Sequence, residues 1–361
     1  MMKINIPLPL KFVRAVSQFI LFVLFFCLAS CSDPWEINNP YGQVDWEKHL
    51  PYKANLHTHT SRSDGSMAPQ QVVDQYYQLG YRILALTDHN EVTYPWTGFE
   101  LLEPSVRSKE RVAEGILEPE VIEYRNRDPK SLEMIAIQGN EVSSPHHMGS
   151  YFNDYNRPTK LEDSTMYATA AKNGLAILNH PGRYDYPAEW YVDHYRRYKH
   201  LVGLEIYNQG DRYPGDRQLW DSILVRLAPE RMVWAFSNDD MHRQETLGRN
   251  WNIFVLPGLT EEWVRKGMEE GRSFYVYAPD GHAGTMPPAI ASVQINKRKG
   301  IIAIAVSGQD SVRWISGGNV VHRGTWIDLG ECPDASVYVR AEIFGPGGTI
   351  VGTQPFGFKK P

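Results

Sequence analysis

Short apolar runs rich in β-branched residues recur along the first 280 residues, and each is followed directly by polar residues. The runs lie at residues 83–86, 134–137, 175–178, 203–206 and 232–236. The segments between several of these runs carry apolar residues three and four positions apart, which is the spacing of one helix face. These segments predict helices at residues 70–79, 165–173, 189–199, 216–226 and 260–270. Alternating strands and helices favour an α/β architecture built on parallel strands.

The pattern changes beyond residue 288. Residues 278–288 are rich in Pro and Gly, which is a linker composition. After them apolar residues alternate with polar ones, as at Val293 and Ile295 and again at residues 337–343, with glycine-rich turns between. This alternation predicts a small all-β, sandwich-like C-terminal domain at residues 289–361. A domain of this size is only marginally stable alone, so we expect it to dock on the preceding domain.

The first 30 residues have the pattern of an export signal. Three basic residues precede an apolar stretch at residues 19–29, which is too short to span a bilayer as a mature helix. The stretch ends in Leu28-Ala29-Ser30-Cys31, which resembles a bacterial lipobox. We therefore predict a lipoprotein signal peptide at 1–30, a lipidated Cys31 that anchors the protein to a membrane of the cell envelope, and a polar tether at 31–50. A plain signal peptide or an anchor helix is the alternative.

The net charge and the cysteine content argue against a nucleic-acid-binding surface and against an intramolecular disulfide. Without residues 1–30 the chain has 34 basic and 42 acidic residues, a formal charge of −8. Such a balance disfavours a nucleic-acid-binding surface, so we expect a small-molecule substrate and no nucleic acid. With Cys27 removed and Cys31 acylated, Cys332 alone remains and no intramolecular disulfide is possible.

Candidate metal ligands follow the apolar runs. His57 and His59 are two positions apart, so on an extended strand both imidazoles leave the same face and can bind one ion. Further candidates come later in the chain: Asp64, His89, Glu141, His146 or His147, His180, Asp240 and His242. Parallel α/β barrels collect their active residues at the C-terminal ends of the strands. The pattern therefore predicts a metal site in a barrel at residues 51–280.

This ordered set of motifs resembles the PHP family, the polymerase and histidinol phosphatase superfamily of metal-dependent phosphoesterases, over about residues 52–280. The resemblance implies a distorted (β/α)7 barrel and two or three divalent ions, as Zn, Mn or Fe. It implies one ion on His57, His59, Glu141 and Asp240; a second on Glu141, His147 and His180; and a third on Asp64, His89 and His242. His147 is favoured over His146 because the ligand of the family immediately precedes a strand. Some members carry His where this chain has Asp64.

Metal ions lower the pKa of a bound water towards about 7, so hydroxide can attack at neutral pH. The chain contains no Gly-x-Ser-x-Gly, no Gly-x-x-x-x-Gly-Lys-Ser/Thr and no Cys-x-x-Cys. Phosphoester hydrolysis is the predicted reaction, with Glu141 and Asp240 as catalytic carboxylates. The alternatives are an ester or carbamate hydrolase similar to the carbaryl-hydrolase-like branch of the superfamily, and a non-catalytic surface binding protein that keeps metals for structure.

Other polar residues receive narrower expectations. Arg183 follows the His180 motif and should stand at the rim, where it binds substrate phosphate or forms a surface salt bridge. Tyr207 and Asn208 are candidates for the pocket lining, whereas Arg212 and Arg243 are only loosely placed. Asp88 is expected to orient a ligand imidazole and Asp239 to act as a cap or supporting group. Residues 94–127 form a charged insertion that should overhang the site, and the isolated histidines (His49, His194, His200, His282, His322) are expected to be structural.

Overall fold

The computed structural model describes residues 34–360. The predicted signal peptide at 1–30 and the predicted lipidation site, Cys31, lie outside the described residues. The described chain is a mixed α/β fold with α-helices and strands up to residue 277, and with strands and two short 3-10 helices (Gly281–Ala283 and Pro346–Gly348) thereafter. Among the described helices none has both the length and the apolar character needed to cross a membrane.

The helices are α1 (Pro69–Gln78), α2 (Val106–Ala113), α3 (Glu162–Ala171), α4 (Ala188–Arg197), α5 (Asp216–Leu227) and α6 (Glu261–Glu270). The strands up to residue 277 are β1 (Glu36–Asn38), β2 (Leu50–Asn55), β3 (Tyr81–Ala85), β4 (Ile135–Ile137), β5 (Gly139–Ser143), β6 (His147–Tyr151), β7 (Leu175–Leu178), β8 (Leu201–Asn208), β9 (Trp234–Asn238), β10 (Asn250–Leu256) and β11 (Ser273–Tyr277). The later strands are β12 (Ala289–Asn296), β13 (Ile301–Ser307), β14 (Ser311–Ser316), β15 (Asn319–Arg323), β16 (Trp326–Asp328), β17 (Tyr338–Phe344), β18 (Ile350–Thr353) and β19 (Phe356–Lys359).

The strands before residue 278 divide between two sheets. In one sheet β2, β3 and β4 are parallel, and β10 and β11 extend it antiparallel beyond β2. In the other, β7, β8 and β9 are parallel and the hairpin of β5 and β6 is added antiparallel to β7. Backbone pairing between the described strands does not close a barrel, so the predicted closed arrangement is not confirmed.

Side-chain amides replace backbone pairing where β9 meets β10. Asn252 on β10 accepts a hydrogen bond from the Ser237 amide and donates one to the Ser237 carbonyl, at 3.0 and 2.9 Å. Asn238 on β9 accepts from the Leu56 amide at 3.0 Å, directly after β2. Buried backbone groups must find hydrogen-bond partners. Here side-chain amides supply those partners at the edge of β9, in place of backbone pairing with β10.

The C-terminal strands join the first sheet rather than forming a separate body. β18 pairs with β11, and β17 pairs with β14, β18 and β19. Only β12, β13 and β16 make a sheet of their own. The predicted all-β, sandwich-like domain at residues 289–361 is therefore not confirmed. The described part of this segment contains eight strands and a short 3-10 helix (Pro346–Gly348), and one sheet runs across the predicted linker at 278–288.

The prediction of a polar tether is wrong from residue 36 onward. β1 pairs antiparallel with β19, and Tyr41 is buried, stacked on Phe274 at 4.8 Å between ring centroids. The Tyr41 hydroxyl also donates to the Ser273 carbonyl at 3.0 Å. Apolar residues, Ile37 among them, lie inside this otherwise polar segment, and burying them anchors it to the C-terminal strands.

A buried ion cluster ties α5 to the C-terminal strands. Asp221 on α5 accepts hydrogen bonds from Arg340 at 2.8 Å through two guanidinium nitrogens and from the Tyr338 hydroxyl at 2.6 Å. Arg340 also donates to Glu342 at 2.5 Å. The three charged side chains are almost fully buried. Since a buried charge is tolerated only when it is paired, this cluster specifies how β17 sits against α5.

Candidate metal centre

Seven of the nine predicted metal ligands line one cleft of about 560 Å³, and the other two, His57 and His59, belong to the same cluster of donor atoms. They come from the ends of the central strands: His57 and His59 follow β2, His89 follows β3, Glu141 lies in β5, His147 begins β6, His180 follows β7, and Asp240 and His242 follow β9, with Asp64 in the loop after His59. The loops after β2 and β9 are joined directly. The Asp240 amide donates to the His57 carbonyl, and the His59 amide to the Met241 carbonyl, each at 2.9 Å.

His57 and His59 form the buried floor together with two carboxylates. Their Nε2 atoms are 3.1 Å apart. Asp240 Oδ1 lies 3.3 Å from His57 Nε2 and 3.0 Å from His59 Nε2. Glu141 approaches the same two nitrogens at 3.3 and 3.5 Å. Donor atoms of His57, His59 and Glu141 form one group within 4.8 Å of one another, whereas Asp240 groups with His57 and His180. The four ligands that the resemblance implied for the first ion are thus divided between two overlapping groups.

Glu141 also reaches the second predicted set. Its Oε1 lies 2.9 Å from His180 Nε2 and 3.3 Å from His147 Nδ1. Its side chain is 1% exposed. Glu141 thus contacts two neighbouring groups of imidazoles, and its bridging of two cations stays a prediction.

The third predicted set is more open and is linked to the first two. Asp64 lies 3.5 Å from His89 Nε2 and 3.3 Å from His242 Nε2. His89 turns its Nδ1 to Glu141 Oε2 at 2.9 Å. His59 stacks on His242 with 4.2 Å between ring centroids, which places it beside this set as well as the first. The three sets therefore overlap in one cluster.

The donor atoms fit divalent cations. Several are buried and have no hydrogen-bond partner among the described residues: Asp64 Oδ1, Glu141 Oε2, His147 Nδ1 and Asp240 Oδ1. A buried polar atom without a partner costs free energy, so its presence calls for an ion or a water. Histidine and carboxylate donors suit zinc, manganese and iron.

Electrostatics keep the carboxylates charged. Burial alone would raise the pKa of Glu141, but the surrounding imidazoles, His57 first, hold it well below its ordinary value. The pKa values of Asp64 and Asp240 are lowered in the same way against burial, by hydrogen bonds and charges from neighbouring imidazoles. At neutral pH the cleft thus presents three anionic carboxylates, which offset the repulsion between closely spaced cations.

His146 points away from the cluster, as the prediction of His147 requires. Its Nδ1 contacts the His147 carbonyl at 2.8 Å and its Nε2 the Tyr191 hydroxyl at 3.2 Å. The ring stacks on Trp190 with an interplanar angle of 9°. Burial lowers the pKa of His146 to about 3, so it is a neutral core residue.

Glu205 is a site residue that the sequence analysis missed. It is fully buried on β8, and its Oε1 lies 2.9 Å from His57 Nδ1, the nitrogen turned away from the cluster. It also accepts from the His180 amide at 2.8 Å and from the Asn238 amide group at 2.9 Å. A lone carboxylate inside the apolar run of β8 was the available signal. Its contact fixes the tautomer in which His57 Nε2 is free to bind metal.

We expect Glu205→Gln to weaken metal binding about 10- to 100-fold, as loss of a partner behind a ligating imidazole generally does. The amide keeps the size of the side chain but cannot accept equally from His57 and the three neighbouring donors. The measurement is a titration with a metal chelator, followed by metal analysis, against the parent. Glu189→Gln, an exposed change on α4, is the matched control. Affinity equal to that of the parent would show that Glu205 only fills the core.

Asp88 and Asp239 support loops. Asp88 accepts from the Thr60 amide, Thr60 hydroxyl, Ser63 hydroxyl and Thr93 hydroxyl at 2.6 to 2.8 Å. Asp88 was expected to orient a ligand imidazole, and it reaches one through Ser63, whose hydroxyl donates to Asp88 and lies 3.4 Å from His59 Nδ1. Asp239 accepts from three consecutive amides, Gly248 to Asn250, and is the predicted cap.

Tyr207 does not line the cleft, contrary to expectation. The β8–β9 register shifts between Glu205 and Tyr207, and Tyr207 stacks on Tyr277 with 4.9 Å between ring centroids. Asn208 lies behind the ligands, donating to Glu205 at 2.9 Å. Because of this shift, Glu205 contacts the ligand His57, whereas Tyr207, two positions later on the same strand, packs on Tyr277.

Three arginines line the cleft: Arg107, Arg183 and Arg212. Arg107 lies on α2, so the insertion at 94–127 overhangs the site as predicted. Arg183 is exposed, and its guanidinium lies 6.0 Å from the centroid of the Tyr184 ring. Arg243 is not among the lining residues. Three guanidinium groups around anionic metal sites form a rim suited to an anionic substrate.

Comparison with known proteins found no matching family model. Among curated proteins, the chain is 26% identical over 146 residues to the uncharacterized protein MJ1295 of Methanocaldococcus jannaschii, covering 36% of this chain and 59% of the relative. It is 22% identical over 278 residues to the 5'-3' exoribonuclease Rnm of Salmonella typhimurium, covering 58% of this chain and 93% of the relative. The chain thus spans about three fifths of the first relative and most of the second.

Among solved structures, one similar chain is a two-domain protein of Bacteroides vulgatus that contains a predicted PHP-like metal-dependent phosphoesterase, with TM-score 0.49, 16% identity and 92% coverage of both chains. Another is the lesion-specific endonuclease PfuEndoQ of Pyrococcus furiosus, with TM-score 0.41, 14% identity and coverage of 61% of this chain and 56% of that chain.

Proposed function

We propose that the protein is a PHP-type metal-dependent hydrolase that cleaves phosphoester bonds. The observation that carries the proposal is the convergence of nine histidine and carboxylate side chains into overlapping groups of donor atoms, in a cleft rimmed by arginines. Two or three divalent ions, as Zn, Mn or Fe, fit these groups. Residues 51–280 then correspond to a distorted (β/α)7 barrel whose hydrogen bonding is interrupted, and residues 289–361 to an appended β region.

Different side chains of the cleft would bind the metal ions, orient a ligand imidazole and bind the substrate. Divalent ions, when bound, supply an activated water at neutral pH and neutralise charge on the substrate. Glu141 and Asp240 bring negative charge to the ions and hold their positions, while Glu205 sets the tautomer of His57. Arg183 and its neighbours on the rim bind anionic oxygens and orient the phosphoester towards the floor. No serine or cysteine nucleophile is needed.

The test is a substrate screen of metal-loaded protein against p-nitrophenyl phosphate, its phosphodiester analogue, p-nitrophenyl acetate and a 5'-phosphorylated oligoribonucleotide. The last probe is included because the Salmonella relative is named an exoribonuclease. We expect turnover of a small phosphoester that is lost on chelation and restored by added metal. Turnover of the acetate alone would favour the ester or carbamate alternative. Metal binding without turnover of any probe would favour the binding-protein alternative.

Arg183→Ala is expected to separate the two hydrolase proposals. If the substrate is a phosphoester, losing a charge-assisted contact to the reacting group costs about 2–4 kcal/mol, or about 30- to 1000-fold in rate. A neutral ester offers no anion to bind, so its rate should change little. The measurement is kcat/KM for both substrate types at equal metal content, with Arg196→Ala, an exposed change on α4, as the control. A small effect on both substrates would contradict a phosphate-binding role.

We propose also that the protein is exported and anchored to a membrane of the cell envelope through a lipidated Cys31. The support is the basic, apolar and Leu28-Ala29-Ser30-Cys31 succession at the amino terminus. Because two or more acyl chains give a stable anchor, lipidation at this residue would retain the enzyme at the bilayer.

A further inference from the structure

The described chain begins close to a basic turn. Trp35 donates its backbone amide to the Lys297 carbonyl at 2.8 Å, in the turn between β12 and β13. The indole of Trp35 lies against Gly300, where an added Cβ would come within 2.6 Å of it. The first residues of the described chain are thus fastened to this turn by both backbone and side chain.

The turn is the most basic part of its hairpin. Lys297, Arg298 and Lys299 are consecutive, and residues 281–309 contain no Asp or Glu. Lys297 and Arg298 are exposed. The rest of the chain after residue 30 carries a net negative charge, so the hairpin is a local reversal of sign. Such a reversal orients a protein with its basic turn towards an anionic surface.

A groove of about 1200 Å³ lies beside the turn. Its walls include apolar and aromatic residues, Ile295, Ile301 and Trp326, together with the three basic residues. The Trp326 side chain is 43% exposed. Tryptophan is enriched where one part of a side chain meets water and the other an apolar phase, as at the edge of a bilayer.

Chain length links this face to the membrane. Cys31 and Trp35 are four residues apart, and an extended chain covers at most about 3.6 Å per residue, so the two lie within about 14 Å of each other. We infer that the face formed by the 297–299 turn and Trp326 docks on the anionic phospholipid surface that holds the lipidated Cys31. The inference rests on the proposed anchor at Cys31 and is independent of the proposed hydrolase activity.

The experiment uses the full-length lipidated protein in vesicles of phosphatidylethanolamine and phosphatidylglycerol that carry a nitroxide quencher on the headgroup. A fluorophore is attached at Gln294→Cys, an exposed position lining the groove, and in a separate protein at Arg196→Cys on α4 as the matched control. Cys332 is buried and 6% exposed, and the parent protein measures its background labelling. We expect at least threefold stronger quenching at 294 than at 196.

Charge reversal distinguishes docking from mere tethering. K297E/R298E/K299E should reduce the quenching at 294 by half or more, as should vesicles of phosphatidylcholine alone, while hydrolysis of a soluble phosphoester is unchanged. Equal quenching at the two positions, or quenching that survives the reversal, would overturn the inference. Cys31→Ser should abolish flotation with the vesicles. If the parent itself fails to float, the anchor is absent and the docking surface falls with it, whatever the hydrolase assays show.

Discussion

Glu141→Gln should abolish turnover and lower the bound metal content more than replacement of any single histidine. Glu141 contacts imidazoles of all three sets, so its neutral amide removes charge from every position at once. Even a partner behind a metal ligand is worth about 10- to 100-fold in affinity, and a bridging carboxylate should exceed about 100-fold. Metal analysis after dialysis and kcat measured with saturating metal are the two readouts.

Two further variants control this experiment. His147→Ala removes one ligand of the second set and should lose less metal than Glu141→Gln. Glu189→Gln makes the same chemical change on the exposed face of α4 and should match the parent. Metal content in Glu141→Gln equal to that of the parent would rule out the bridge, even if turnover were lost.

Asp221→Ala should destabilise the protein by about 3–5 kcal/mol, because it leaves the buried Arg340 without its main partner. Asp221 takes two hydrogen bonds from that guanidinium and one from the Tyr338 hydroxyl, and Glu342 alone cannot satisfy both donors. The measurement is the free energy of unfolding from urea titration. Since the cluster joins α5 to β17, the expected loss includes the attachment of the C-terminal strands.

Asp211→Ala is the matched control for this prediction. Asp211 lies before α5 and pairs with Arg217 on that helix, but both side chains are partly exposed. Loss of such a pair costs roughly 0.2–1 kcal/mol. Equal losses for Asp211→Ala and Asp221→Ala would mean that water reaches Arg340 in the folded protein. Activity per folded molecule should be unchanged in both variants, because neither residue lines the cleft.

Much of the candidate site could be read from local pattern. A histidine or carboxylate directly after an apolar run lies at the end of a strand, and neighbouring strand ends meet at one edge of a sheet. This reasoning placed His57, His89, His180 and Asp240 together. Position before a strand separated His147 from His146 in the same way. In each of these cases the strand and the polar residue that follows or begins it lie within a few positions of each other, so local pattern is enough to place the residue.

The supporting residues were less accessible to such reasoning. Glu205 lies inside a strand, and its partner His57 is 148 positions away. Asp88 reaches an imidazole through Ser63, because the loop from Thr60 to Ser63 folds onto it. Arg107 reaches the cleft only because the insertion that carries it closes over the site. Which distant groups meet a polar side chain depends on the packed fold.

The sequence by itself determined the helices and strands up to residue 277, the presence of strands after residue 289, and the residue types that converge on the cleft. Each of these depends on hydrophobic periodicity or on a motif within a few residues. Only the tertiary structure decided that the strands before residue 278 divide between two sheets. It also decided that β18 extends the first sheet by pairing with β11 and that β1 pairs with β19. Strand partners hundreds of positions apart are selected by the packing of side chains and by the need to satisfy buried backbone groups, and neither is encoded in local pattern.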